Sequence, residues 1–294
     1  MTSNPQESPG QKLRRRAAQR NGLLLAGAAN AMSARLIEQL GFEAVYLSGA
    51  GITNTFYGLP DLGFIGLSDL AAHTAATRDA VSLPIVVDAD TGFGNALNVR
   101  HSVRTLERAG ANAIQIEDQQ MPKKCGHFDG KSVIGAQEAA AKIKAAVDAR
   151  NSQDLLIIAR TDARATEGLD AAIERAALYA EHGADITFVE APQSTQELRR
   201  IARELAVPQL VNVVIGGKTP ALSTPEFAQM GFGLVLYANA ALQGALKGMT
   251  DALTHLRDKG RLDEDSALVA SFAQRQRLVN KPLFDELDRR YQAD

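Results

Sequence analysis

The single cysteine of the chain lies in Lys123-Lys124-Cys125-Gly126-His127, just beyond an apolar run that ends in Glu117-Asp118. One cysteine cannot close an internal disulfide. A cysteine used for packing normally sits in an apolar run, because the free thiol packs as a small hydrophobe. This one is flanked by two lysines, a glycine and a histidine. Positive neighbours favour thiolate, the form that exchanges protons or attacks carbon, so the segment is expected to be reactive. His127 can polarise an oxygen or orient the loop, and residue type alone leaves both roles open. Gly126–Gly130 with its lysines has the composition of a mobile loop able to close over a site and bring Cys125 in.

Acidic residues upstream suit a metal beside that thiol. Asp88, Asp90, Glu117 and Glu190 are hard oxygen ligands, and Mg²⁺ takes one or two carboxylates with waters and substrate oxygens completing the octahedron. Asp88 and Asp90, alternate acids at one strand end, would repel each other without a cation. Zinc is not expected with one cysteine and widely spaced histidines. Arg160 is expected to clamp a substrate carboxylate through two parallel hydrogen bonds. Asp162 is set aside as a helix cap or a partner of Arg160.

These residues need a scaffold that gathers them, and the pattern of the chain supplies one. Apolar runs at Leu23–Ala28, Ala44–Ser48, Pro84–Ala89, Ala113–Glu117, Leu155–Ala159, Ile186–Glu190, Gln209–Val213 and Gly233–Tyr237 alternate with amphipathic stretches such as Asn98–Ala109, Gln137–Ala149, Leu169–His182 and Thr195–Leu205. Runs apolar on both alternations are expected of parallel strands covered on both faces. Gly110 and Gly183 stand where helix ends favour a left-handed residue, and Thr195 is expected to cap the helix it opens. Eight such units predict an α/β fold of the (β/α)₈ barrel type. The rival, a doubly wound open sheet, lacks a glycine-rich dinucleotide turn after the first strand. The expected organisation is a tail and helix over 1–22, the barrel over 23–260 and a helical extension over 261–294. Polar residues gather at the same end of the strands: Tyr46 and Ser48, Asp88 and Asp90, Glu117, Arg160, Glu190 and Asn212. Helix caps explain Asp, Ser and Thr there, but not Glu117, Arg160 and Glu190.

The 294 residues are 45% hydrophobic and 22% charged with a formal net charge of −2, which gives nucleic acid or an anionic membrane no electrostatic handle. Arg14-Arg15-Arg16 is expected to be a solvated helix face. No apolar run approaches the roughly 20 residues needed to cross a bilayer, and Met1–Gly10 lacks a signal-peptide core, so a cytoplasmic location is expected.

Taken together, Lys123–His127, Val87-Asp88-Ala89-Asp90 with Gly92-Phe93-Gly94, Ile116–Gln119, Tyr46–Gly49, Gly58-Leu59-Pro60-Asp61 and Ala159–Asp162 resemble the isocitrate lyase and phosphoenolpyruvate mutase superfamily from about Leu23 to Tyr237. The resemblance implies a barrel whose eighth helix is exchanged between subunits of a homotetramer, and a requirement for Mg²⁺, with Mn²⁺ as a substitute. It implies a small 2-hydroxy or 2-oxo carboxylate as partner, a metal cluster of Asp61, Asp88, Asp90 and Glu117, and an oxy-carboxylate pocket at Ser48, Gly49 and Ala50. Gly126, Lys123, Glu190 and Asn212 complete the implied site. In the lyase branch the loop cysteine, here Cys125, protonates the departing carbanion, and Tyr46 is the candidate base for the 2-hydroxyl. The cysteine loop separates this chain from the phosphonate-forming mutases with an asparagine-containing loop. Gln243 stands where methylisocitrate lyases tend to carry an arginine, and Ala238 where oxaloacetate hydrolases tend to carry a serine. The implied reaction is cleavage of a 2,3-dimethylmalate-like or 2-methylisocitrate-like dicarboxylate to pyruvate or a related 2-oxoacid. A carboxyphosphonoenolpyruvate-type mutase or an oxaloacetate hydrolase is the alternative.

Overall fold

Each of the eight Val-, Ile- and Leu-rich runs forms a strand, because side chains on both of its faces find apolar cover. The computed structural model describes residues 7–128 and 130–292. The strands are β1 (Leu23–Ala28), β2 (Val45–Leu47), β3 (Ile85–Asp88), β4 (Ala113–Glu117), β5 (Leu156–Thr161), β6 (Ile186–Val189), β7 (Gln209–Asn212) and β8 (Leu234–Tyr237). They run parallel and pair in sequence order, and β8 returns to β1 through Leu23–Leu234 and Ala26–Tyr237. The sheet is therefore a closed (β/α)₈ barrel, and the open doubly wound sheet is excluded.

Helices at Ala96–Arg108, Ala136–Ala149, Leu169–Glu181 and Thr195–Glu204 fall within two residues of the expected spans. Gly110 and Gly183 do take positive φ, 103° and 97°. The cap expected at Thr195 is instead Ser194, whose side chain accepts from the Glu197 amide.

Side chains alternate along a strand with a period of two, and this divides the core. Outward residues such as Val45, Leu47, Ile85 and Val87 pack under the helices. Inward residues, among them Leu25, Tyr46, Val86, Ala113, Ile158, Phe188, Leu210 and Leu236, fill the barrel. Two residues further along each inward row stand Ser48, Asp88, Arg160, Glu190 and Asn212, with Glu117 four beyond Ala113. The same alternation that fills the barrel thus places the polar residues together as its top layer.

The bottom is closed by the helix Pro9–Ala18, whose Leu13 and Ala17 join the interior cluster at 1% exposure each. The reading of Arg14–Arg16 as a solvated face fits Arg14 and Arg15, whose side chains are 42% and 50% exposed and pair with Asp185 and Glu7. It is corrected for Arg16, 19% exposed, which grips Glu43 through Nε at 2.8 Å and Nη2 at 2.7 Å.

Beyond β8 the helices Ala240–Lys259, Phe272–Leu278 and Lys281–Tyr291 contain no buried residue. Leu246, Met249 and Leu253 are 61%, 54% and 63% exposed on the first of them. None of the described helices is long and apolar enough to cross a membrane.

Leu13→Ala is expected to destabilise the fold by about 2–4 kcal/mol in urea titrations, the range for a large-to-small change in a packed core. A loss below about 1 kcal/mol would mean that the helix does not plug the barrel.

Candidate active site

The top layer of the barrel carries more negative than positive charge. Asp88 ends β3 and accepts from Gln115 Nε2 at 3.2 Å and from the Asp90 amide at 3.3 Å. Asp90 follows in the left-handed region at φ 48°, a bend that non-glycine residues seldom adopt and that recurs at functional sites. Gly49 faces both acids: a Cβ there would lie 3.4 Å from Asp90 Oδ1 and 3.5 Å from Asp88 Oδ2. Burial, opposed by Lys123 and reinforced by Asp88 and Asp61, pushes the Asp90 carboxyl up to about 7. Burial likewise pushes Glu117 well above the ordinary carboxylate range, with Arg160 opposing it. Lys123 answers this charge. Burial alone would depress it, but Asp90, Glu117 and Asp61 hold its ammonium well above the ordinary range. It pairs with Asp61 and lies 2.8 Å from Asp90 Oδ1.

Arg160 lies among three carboxylates. Its Nε and Nη2 donate to Asp162 at 2.8 and 3.0 Å, while Glu117 Oε2 is 3.3 Å and Glu190 Oε2 3.1 Å away. The two-pronged edge expected to clamp substrate is therefore taken by Asp162, and Nη1, beside Glu190, is the donor left for a ligand. Asp162 is the arginine partner the sequence suggested, and its side chain makes no helix-capping bond. Burial would raise its carboxyl, but Arg160 and Lys131 bring it down to about 2.

The cysteine loop is seated over this layer. Gln119 holds Lys124 on both sides, accepting from its amide at 3.0 Å and donating to its carbonyl at 2.8 Å. His127 Nδ1 accepts from the Lys218 amide at 3.0 Å, which assigns the proton to Nε2, 3.1 Å from Glu190 Oε1. His127 thereby orients the loop, one of its two open roles. Gly126 lies so close that a Cβ would collide with Arg160 Nη2 and come within 2.5 Å of Glu190 Cγ. The expected loop includes Asp129, which lies outside the described residues.

Cys125 does not match the expected thiolate. Burial pushes the thiol above its ordinary 9.0; its backbone hydrogen bond with His127 opposes this, and Asp61 and Glu190 add to it. Burial, then Asp88, likewise raises the Tyr46 phenol, with Arg160 opposing. Lys123, Cys125, Gly126, His127, Tyr46, Ser48, Ala50, Asp61, Asp88, Arg160, Glu190 and Asn212 surround one chamber of about 40 Å³, room for only a few waters. Ligand entry therefore requires the loop to lift. Gln243 is absent from this wall and lies exposed on the first turn after Asn239. Val214, Ala238 and Asn239 line that side instead. Sequence reasoning missed Asn239 and Val214. The signal for Asn239 was its place just past a strand end.

The fit to Mg²⁺ rests on the oxygen donors. Glu117 Oε1 is buried without a hydrogen-bond partner, and four carboxylates share Lys123 and the edge of Arg160. Among the described residues no three such side chains converge as a ready metal cluster. Such a spread of oxygen donors is compatible with an ion held by one or two direct carboxylates and by water, the arrangement Mg²⁺ favours.

Comparison with known proteins agrees with this fold. The family model described as phosphoenolpyruvate phosphomutase matches residues 13–257. A 2-methylisocitrate lyase of Aeropyrum pernix is 48% identical over 256 residues, covering 87% of this chain and 82% of that protein. A 2,3-dimethylmalate lyase of Eubacterium barkeri is 45% identical over 232 residues, covering 79% and 80%. The crystal structure of a 2,3-dimethylmalate lyase superposes with a TM-score of 0.90 at 31% identity, covering 97% of this chain and 96% of that one. The chain belongs to the phosphoenolpyruvate mutase and isocitrate lyase superfamily. Within it, the chain is an enzyme of the carbon–carbon lyase kind.

Gly126→Ala is expected to unseat the loop, because Arg160 and Glu190 are too tightly packed to give way. Turnover should fall at least about tenfold while urea stability changes by less than about 1 kcal/mol. Unchanged turnover would show that the loop does not seat in this way during reaction.

Proposed function

We propose that this enzyme is a Mg²⁺-dependent lyase that cleaves a 2-hydroxy dicarboxylate to pyruvate or a related 2-oxoacid and a second carboxylate. The observation that carries the reading is that a seated loop holds the Cys125 thiol in the same chamber as Asp88, Arg160 and Glu190, where burial raises its hold on a proton. Asp61, Asp88, Asp90 and Glu117 would hold the ion, some through water. Once bound, it would supply Lewis-acid stabilisation of charge on the substrate's 2-oxygen and the enolate.

The chain's own residues do the rest. Ser48 caps the turn Gly49–Ile52 by accepting from the Gly51 amide at 3.1 Å, which leaves the neighbouring backbone available to an oxy-carboxylate. Arg160 meets the carboxylate through its remaining donor, and Tyr46 donates as a phenol. Lys123 offsets the acids while His127 and Glu190 hold the loop. The 2-hydroxyl proton passes to the Glu190 carboxylate in the same chamber. The oxygen's electrons form the 2-oxo group as the carbon–carbon bond breaks, and Cys125 places its proton on the electron pair left on the departing carbon as general acid. The seated loop excludes water, which strengthens each of these interactions.

The wall at Asn212, Val214, Ala238 and Asn239 is uncharged. A third substrate carboxylate would find no cation among those side chains, so a 2,3-dimethylmalate-like substrate is preferred and a 2-methylisocitrate-like one ranks second. A cytoplasmic setting and a homotetramer of helix-swapped dimers belong to the same proposal. The exposed Leu246–Met249–Leu253 stripe supports the assembly, since such a row needs cover.

Pyruvate release should be seen with 2,3-dimethylmalate or 2-methylisocitrate and be abolished by EDTA. Silence across both, in protein that binds Mg²⁺ and oxalate, would overturn the substrate assignment. Cys125→Ser should lower kcat by about 10²–10⁴-fold with oxalate affinity nearly intact; equal loss of binding would remove the proton-donor role. Because the thiol is raised above 9.0, the acid form persists as pH rises through that value and is lost only above it. The alkaline limb of kcat should therefore lie above pH 9.0, and a limb well below it would show that a different group is the acid. Light scattering should give a tetramer, and Leu253→Glu should dissociate it. A monomeric wild type would refute the assembly.

A further inference from the structure

Lys131 stands five residues beyond Gly126, where the loop rejoins the barrel. Its side chain is 1% exposed, a burial that lysine tolerates only when paired. The ammonium donates to the Gly126 carbonyl and to Asp162 Oδ1 at 2.7 Å. That same oxygen accepts from Arg160 Nη2 at 3.0 Å, while Asp162 Oδ2 accepts from Arg160 Nε at 2.8 Å. Asp162 is itself anchored. Its amide donates to Asp118 Oδ1 at 2.9 Å, and Asp118 Oδ2 accepts from Thr161 at 2.7 Å and Tyr179 at 2.8 Å. One fixed carboxylate therefore links the loop backbone on one side to the guanidinium on the other.

Charge gives this link a consequence. Arg160 contacts three carboxylates, Glu117, Asp162 and Glu190. With Lys131 seated, two cations touch this group. With Lys131 withdrawn, the guanidinium faces the same three alone and is drawn harder onto Asp162. A substrate carboxylate adds further negative charge, which a low-dielectric site accepts only if a cation offsets it.

We infer that Lys131 is a positioning residue that couples seating of the Lys123–Phe128 loop to the readiness of Arg160 for a substrate carboxylate, by bridging the Gly126 carbonyl and Asp162. This rests on the lyase reading only in giving Arg160 a carboxylate to bind; the latch itself does not depend on it.

The test uses the full chain, in which Cys125 is the one alkylatable thiol, so labelling by iodoacetamide reports how often the loop lifts. In Lys131→Met, alkylation should be at least tenfold faster, and oxalate, titrated with Mg²⁺ by calorimetry, at least fivefold weaker. Lys131→Arg, which returns a cation to Asp162, should bring oxalate affinity back to within threefold of wild type. Lys144→Met, on an exposed surface pair, should change neither readout. A merely structural lysine would lower the melting temperature without moving either one in the folded state. If Lys131→Met does not fold, Lys131→Gln carries the same two measurements. Alkylation or oxalate affinity within twofold of wild type in the folded variant overturns the inference. Failure of wild type to bind oxalate would count against the lyase reading instead, and alkylation would then decide the latch.

Discussion

Everything at the top of this barrel follows from the cost of burying charge. Asp88, Asp90, Glu117, Asp118, Asp162 and Glu190 are all buried, and so are Lys123, Arg160 and Arg175. An isolated ionised group in such surroundings is penalised by several kcal/mol, and the penalty is recovered only through close partners. The acids outnumber the bases, so the arrangement is stable only with each cation shared. Lys123 serves Asp61 and Asp90, Arg160 serves three carboxylates, and Lys131 divides itself between Asp162 and a backbone carbonyl. The remaining negative charge is what suits the site to a divalent cation. A fold that neutralised its acids completely would have no affinity left to offer one.

The barrel makes this burial tolerable because it fixes the partners before the charges meet. Asp118 is the clearest instance. It does not line the chamber, yet it holds Thr161, the Asp162 amide and Tyr179, with Arg175 Nη1 at 3.4 Å. It thereby fastens the end of β4 to the end of β5. Arg175 extends the fastening to Glu167 and to the Ile134 carbonyl, where the cysteine loop ends. Loop, strand ends and the helix Leu169–Glu181 are thus tied through one buried carboxylate. Gln115, one layer below the site, does the same for Asp88. Such groups lose little by being rigid and give the reacting groups their aim.

The strands and the gathering of Asp88, Glu117, Arg160, Glu190 and Asn212 were legible in the sequence because both follow from a period of two repeated eight times. What was not legible depended on contacts between distant segments. Arg16 looks like part of a solvated cluster until Glu43 appears beside it. Pairing of Arg160 with Asp162 was legible, but the approach of Glu117 and Glu190 from neighbouring strands to the same guanidinium was not. Gln243 was placed by resemblance to methylisocitrate lyases, and on the helix Ala240–Lys259 it lies exposed and outside the chamber wall. Lys131 carried no signal at all, since a lysine in a polar loop is normally solvated.

Cys125 shows why composition misled and what the correction means. Two adjacent lysines should lower a thiol's pKa, but both ammonium groups are held by other partners. Lys123 is taken by Asp61 and Asp90, and Lys124 reaches out to the Gly130 carbonyl at 2.9 Å. With the lysines engaged, desolvation becomes the largest influence on the sulfur, and it favours the neutral thiol. In the proposed reaction, loop seating would therefore also load the acid: the burial that shuts out water raises the thiol's hold on its proton, so that a proton would sit beside the departing carbon when a carbanion forms. An exposed thiol between two free lysines would more readily give its proton to solvent and would serve better as a nucleophile. The difference between an acid and a nucleophile here lies in where two lysine side chains find their partners, and the barrel decides that.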